Sequence, residues 1–133
     1  MTLVDTNVLL DLVTDDPEWS DWSLARLEEA ALAGPLLIND VVYAETSIRY
    51  DRIEDLDAML DEARIAIAPT PRAALFLAGK AFRRYRAAGG VRTGVLPDFF
   101  IGAHAAVAGV KLLTRDSSRY RRYFPRVTLI APA

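Results

Sequence analysis

The feature that most limits what this chain can fold into is an alternation of short apolar runs with stretches of helical spacing. TLVD at 2–5, LLI at 36–38, IAIA at 65–68, VKLL at 110–113 and VTLI at 127–130 read as short buried strands. Helices are predicted between them, over about 6–13, 19–33, 40–50, 53–64, 71–88, 97–107 and 117–123. The punctuation agrees: Gly34-Pro35 stops the second helix, Asn39 is a good N-cap, Pro71 and Pro97 open helices, and Gly89-Gly90 closes one. Short apolar strands alternating with helices imply an α/β fold, a short parallel sheet of four to five strands covered on both faces in three α/β/α layers. No repeat, low-complexity tract or linker interrupts the pattern, so residues 1–133 are expected to form one domain. Folds of this kind bind ligands beyond the carboxyl ends of their strands. Asp5 and Asp116 each stand just after a strand, facing that crevice.

Composition removes several function classes. There is no cysteine, which excludes disulfides, thiolate metal sites and a cysteine nucleophile. One histidine, His104, lies in the helical run GAHAAVAG and reads as a helix residue, so no Ser-His-Asp set is expected. Neither G-x-x-x-x-G-K-[ST] nor G-x-G-x-x-G is present. No apolar run approaches the ~18–20 residues that span a bilayer. The opening MTLVDTNVLLDL has no basic segment before its apolar run and carries acids within it, unlike a signal or transit peptide. A cytoplasmic protein with no membrane partner is expected.

The net charge of −2 hides an asymmetry. Residues 1–68 hold 4 basic and 16 acidic side chains, and residues 69–133 hold 12 and 2. Of the 16 basic residues 14 are arginine, the side chain suited to forked contacts with phosphate, so a basic face for nucleic acid is one reading. Mutual attraction of the two halves is the other. The two acids that the basic half retains are Asp98 and Asp116.

Taken singly, each acid has an ordinary explanation. Asp5 and Asp116 precede helices and suit N-caps. Asp98 lies in the first turn of its helix, where negative charge is favoured. Glu45 is one helical glutamate among several. Taken together they suggest more. Glu45 shares a helix side with Val41, Val42 and Ile48, and Asp98 precedes Ile101, Gly102 and Ala105 on a helix apolar almost all round. Two carboxylates ~4 Å apart repel by about 4 kcal/mol at an effective dielectric near 20. Several of them converging must either take up protons or hold a cation, and an all-oxygen set favours Mg²⁺ or Mn²⁺. A carboxylate-held Mg²⁺ suits phosphoryl hydrolysis. A phosphatase-like domain would normally place a second Asp two residues after the first, where this chain has Asn7. An RNase H-like nuclease would follow its first acid with a β-hairpin, where Val8 to Val13 reads as helix. A non-catalytic RNA- or protein-binding module remains the alternative of another class, and it predicts no need for Mg²⁺.

LVDTNVLLDL at the N-terminus, the isolated Glu45 in VVYAETSIR, LPDFFIGAHA at 96–105 and LLTRDSSRYRRYFP at 112–125 resemble the PIN-domain ribonucleases, above all the VapC-type toxins of VapBC toxin–antitoxin pairs. The resemblance implies a Rossmann-like parallel sheet, Mg²⁺- or Mn²⁺-dependent endoribonuclease activity, a cognate antitoxin and homodimerisation. It implies that Asp5 and Asp98 are primary metal ligands and that Glu45 and Asp116 complete the catalytic site. Asn7 and Thr114 match residues that orient the carboxylates. In that light Arg92, Arg115 and Arg119, around Asp98 and Asp116, are expected to hold RNA phosphates or else to pair with acids. Trp19 and Trp22 form either an exposed stripe for an antitoxin peptide or part of the core. The segment 51–95 matches no motif.

Overall fold

The structure, a computed structural model, describes residues 1–92 and 94–133; Thr93, in the loop before Asp98, lies outside the described residues. In chain order the elements are β1 (Thr2–Val4), α1 (Thr6–Val13), α2 (Ser20–Ala33), β2 (Leu36–Asn39), α3 (Asp40–Ser47), α4 (Ile53–Glu62), β3 (Ile65–Ala68), α5 (Arg72–Ala87), α6 (Leu96–Ala108), β4 (Lys111–Leu113), α7 (Ser118–Tyr123) and β5 (Leu129–Ile130). The strands form one five-stranded sheet in the order β3-β2-β1-β4-β5, and every pairing is parallel. With helices on its faces this is the expected α/β/α arrangement, with five strands.

The chain runs outward from β1 to β3 on one side, then returns across β1 to build β4 and β5 on the other. The reversal lies between β1 and β4, where connections on the two sides diverge and open a crevice. Register fixes what stands there. Thr2, Leu3 and Val4 pair with Lys111, Leu112 and Leu113, so Asp5 and Thr114 are the next residues beyond the paired ends. The Asp5 N–H donates to Leu113 O at 2.9 Å, closing the last rung. The core lies between sheet and helices, with Leu3, Val4, Val8, Ile38, Leu112 and Leu113 essentially without solvent exposure.

Several expected boundaries shift. The helix expected to reach residue 50 ends at Ser47, because Thr46 Oγ1 and Ser47 Oγ donate to Val42 O and Ala44 O, and Arg49 and Tyr50 N–H close shorter turns onto Thr46 O and Ser47 O. Ile48 is consequently 80% exposed and does not share the buried side of α3. The last strand is only Leu129–Ile130 rather than 127–130: Val127 N–H turns back to Phe124 O, leaving a short edge.

An aromatic cluster positions the last helix. Phe82 and Tyr85 of α5 and Phe99 of α6 pack within 5.5–5.8 Å of one another, Tyr123 of α7 lies against Tyr85 and Phe99 at 6.1 and 5.2 Å, and Phe124 joins against Phe99. Gly102 lets α7 approach α6: a Cβ there would stand 2.5 Å from the Phe124 ring and 3.0 Å from that of Tyr120.

Candidate active site

Asp5 is the anchor. It is 3% exposed and caps α1, with Thr6 N–H donating to Oδ1 at 2.7 Å. Oδ2 accepts from the hydroxyls of Thr114 and Tyr120, each at 2.8 Å, and from Asn7 Nδ2 at 3.4 Å. These donors favour the charged form, yet they do not offset burial. Desolvation first, and the charge of nearby Asp98 second, push Asp5 up to about 7. The N-cap reading of Asp5 therefore holds, and its burial and raised pKa set it apart from a cap exposed to water.

Asp98 lies in the first turn of α6 on the side of the buried Ile101, Gly102 and Ala105. Burial raises its pKa; Arg119, whose Nη1 donates to Oδ2 at 2.6 Å, opposes the rise, and Glu45 and Asp116 reinforce it. Glu45, half-buried on α3, accepts at Oε1 from Thr6 Oγ1 at 2.7 Å. Asp116 is exposed in the turn after β4. Its N–H donates to Thr114 Oγ1 at 3.1 Å, and Ser117, not Asp116, occupies the N-cap of α7. The four acids thus gather at the carboxyl end of β1 and β4: Glu45 and Asp116 act on Asp98, and Asp98 acts on Asp5.

The expected supporting residues are also there. Asn7 bridges the two strand ends, donating to Thr114 Oγ1 at 3.3 Å while its Oδ1 accepts from Arg115 N–H at 3.1 Å. Arg115 and Arg119 are both engaged with carboxylates: Arg115 forks onto Asp11 and Arg119 sits on Asp98. Arg92 is exposed, its N–H donating to Tyr85 Oη at 3.2 Å. Trp19 and Trp22 are half-buried, edge to face at 5.9 Å, so neither forms an exposed stripe. His104 is buried in α6, with Asn39 Nδ2 3.2 Å from its Nδ1, and burial lowers its pKa.

Three contributors had no motif to announce them. Thr6 holds Glu45, Tyr120 holds Asp5 from the far end of the chain, and Asp11 anchors Arg115. For Asp11 a signal existed, an acid within the apolar run LLDLV. Tyr120 offered none among the arginines of SRYRRY.

Among the described residues, no group of three or more acids or histidines is drawn tightly enough, as the side chains stand, to enclose a metal. The donor set still suits one. Four carboxylates share an end of the sheet, the most buried has its pKa raised to about 7 by burial, and Arg119 supplies the positive charge beside Asp98. All donors are hard oxygens, matching Mg²⁺ or Mn²⁺.

No curated protein sequence matches the chain. Among solved structures it is similar to VapBC2 from Rickettsia felis bound to a promoter DNA fragment, with a TM-score of 0.74 at 20% identity, covering 99% of this chain and 98% of that one. It is similar also to DNA-bound VapBC from Salmonella typhimurium (0.71, 16%, 98% and 96%) and to FitAcB from Neisseria gonorrhoeae (0.66, 17%, 98% and 96%). At these identities the likeness establishes the fold. The PIN domain family model matches residues 2–125, nearly the whole chain. This chain belongs to the PIN domain family.

Proposed function

We propose that this protein is the nuclease toxin of a toxin–antitoxin pair, a VapC-type endoribonuclease that requires Mg²⁺ or Mn²⁺. The observation that carries the reading is the gathering of Asp5, Glu45, Asp98 and Asp116 at the β1–β4 switch point, in a chain of the PIN family. The structural neighbours are toxin–antitoxin complexes, which supports a cognate antitoxin as partner; homodimerisation is part of the same reading. Residues 1–133 are read as one PIN domain. Among the described residues no helix is long and apolar enough to cross a membrane, in keeping with a protein that meets RNA in the cytoplasm.

Asp5 and Asp98 would be the primary ligands, with Glu45 and Asp116 completing the site. A bound Mg²⁺ or Mn²⁺ supplies charge stabilisation to the phosphoryl group and activation of water for in-line attack. The chain's own residues prepare that chemistry. Thr6 N–H, Thr114, Tyr120 and Asn7 fix the rotamer of Asp5, and Thr6 Oγ1 fixes Glu45. Arg119 pairs with Asp98 and would stand beside a bound ion as a partner for phosphate. Exposed Arg92 offers a second phosphate contact.

Total RNA incubated with the purified protein should be cut in Mg²⁺ or Mn²⁺, left intact in EDTA, and left intact by Asp98→Asn. Cleavage indifferent to both chelator and substitution would overturn the reading, and so would intact RNA under every condition.

A further inference from the structure

Outside the acid cluster, Asp11 is a buried carboxylate with three donors on it. Its side chain is 2% exposed in the middle of α1. Arg115 Nε and Nη2 donate to its two oxygens, each at 2.8 Å, and Ser23 Oγ of α2 donates to Oδ2 at 2.7 Å. Trp19 covers the arginine, whose guanidinium carbon lies 5.3 Å from the ring centroid. A buried carboxylate left alone is very costly, so the fork holds Arg115 firmly in this orientation.

Arg115 is the residue between Thr114 and Asp116. Its backbone N–H donates to Asn7 Oδ1, Thr114 Oγ1 donates to Asp5, and Asp116 N–H donates to Thr114 Oγ1. The turn 114–116 is therefore tied to α1 at three points, from Asp5, Asn7 and Asp11. The first two grip the backbone and Thr114. Only the third grips the side chain at the centre of the turn, and it also ties in α2. Among the described residues the Asp116 carboxylate accepts only from Ser118 Oγ, at 3.4 Å, so its direction is set by the turn that carries it.

We propose that Asp11 is a positioning residue: acting through Arg115, it locks the turn 114–116 against α1 and aims Asp116 at Asp5 and Asp98. Arg115 is then a structural strut for the site rather than a contact to RNA phosphate. The proposal rests on reading the four acids as a divalent-metal site.

The test compares Mn²⁺ affinity, from the free-ion paramagnetic resonance signal, across the wild type, Asp11→Asn, and an Asp11→Leu/Arg115→Met double variant. The double variant removes both charges and leaves no lone buried ion. Each is checked by near-ultraviolet circular dichroism. RNA affinity against salt is measured for Arg115→Ala. The expected result is a wild-type spectrum in the double variant with Mn²⁺ affinity lower by about tenfold or more, and an unchanged salt slope in Arg115→Ala. Wild-type Mn²⁺ affinity in the folded double variant would overturn the proposal. So would a salt slope reduced by about 0.7, the signature of one lost phosphate contact on a single strand. A wild type that binds no Mn²⁺ removes the metal-site reading itself, and this proposal with it.

Discussion

A carboxyl group at the end of a central strand must reconcile two demands, to stay out of water and to be ready to carry charge. Asp5 does so with three hydroxyl and backbone donors, and it still sits at about 7 because burial and Asp98 outweigh them. The consequence for stability has a definite sign. The unfolded group ionises near 3.8, so below that pH both states are protonated and the folded preference for the neutral acid is fully present. It is lost as pH rises through about 7, at about 1.4 kcal/mol per tenfold difference in proton affinity, or on the order of 4 kcal/mol in all. Asp98 adds in the same direction; His104, whose pKa burial lowers from 6.5, opposes it, and Asp40, lowered from 3.8 by its Thr70 hydrogen bond, is ionised in both states over this range and adds nothing. Metal-free protein should therefore be more stable near pH 5 than near pH 8, and Asp5→Asn should flatten that slope. Urea midpoints in EDTA at both pH values check this; a slope that survives in Asp5→Asn contradicts it. At this scale the sequence disclosed the four acids, because two of them stood alone among cations and two others sat on strand ends or buried helix faces. Tyr120 escaped because it meets Asp5 from 115 residues away, and nothing local marks such a contact.

Elements matter here through how closely they approach. Helix α7 reaches the site because α6 has no side chain at Gly102, which leaves room for the Phe124 and Tyr120 rings. Gly102→Ala would gain about 1 kcal/mol of helix propensity and lose about 1–3 kcal/mol to overpacking against a buried ring. A net loss of stability is expected, seen as a lower urea midpoint, together with weaker Mn²⁺ binding as Tyr120 shifts from Asp5. A more stable variant with unaltered Mn²⁺ binding would show that the approach is not needed. Strand–helix order and most helix starts were legible, since capping residues and prolines act locally. The early end of α3 and the brevity of β5 were not. The first is decided by hydroxyls competing for backbone carbonyls, the second by a turn at Phe124 whose form depends on the packed aromatic cluster.

For the molecule as a whole, the charge asymmetry survives folding. Among the described residues only the Arg115–Asp11 pair joins the acidic half to the basic half; the other ion pairs lie within one half or the other. Arg83, Arg84, Arg86, Arg121, Arg122 and Arg126 remain exposed, so attraction between the halves does not use up the basic surface. On the proposed reading, Arg121 and Arg122, exposed on α7 after Arg119, would extend a phosphate track from the site. Their joint replacement by alanine should lower the salt slope of RNA affinity by about 1.4, measured in an Asp98→Asn background to prevent cleavage. An unchanged slope would direct the RNA elsewhere.

The most direct test of the account is a Mn²⁺ titration of the purified protein at pH 8, comparing the wild type with Asp98→Asn. Saturable binding by the wild type, lowered at least tenfold in Asp98→Asn while the fold is kept, is the predicted result. Equal affinity in both proteins, or no binding by either, would mean that the acids at the β1–β4 crevice do not act together on a divalent ion.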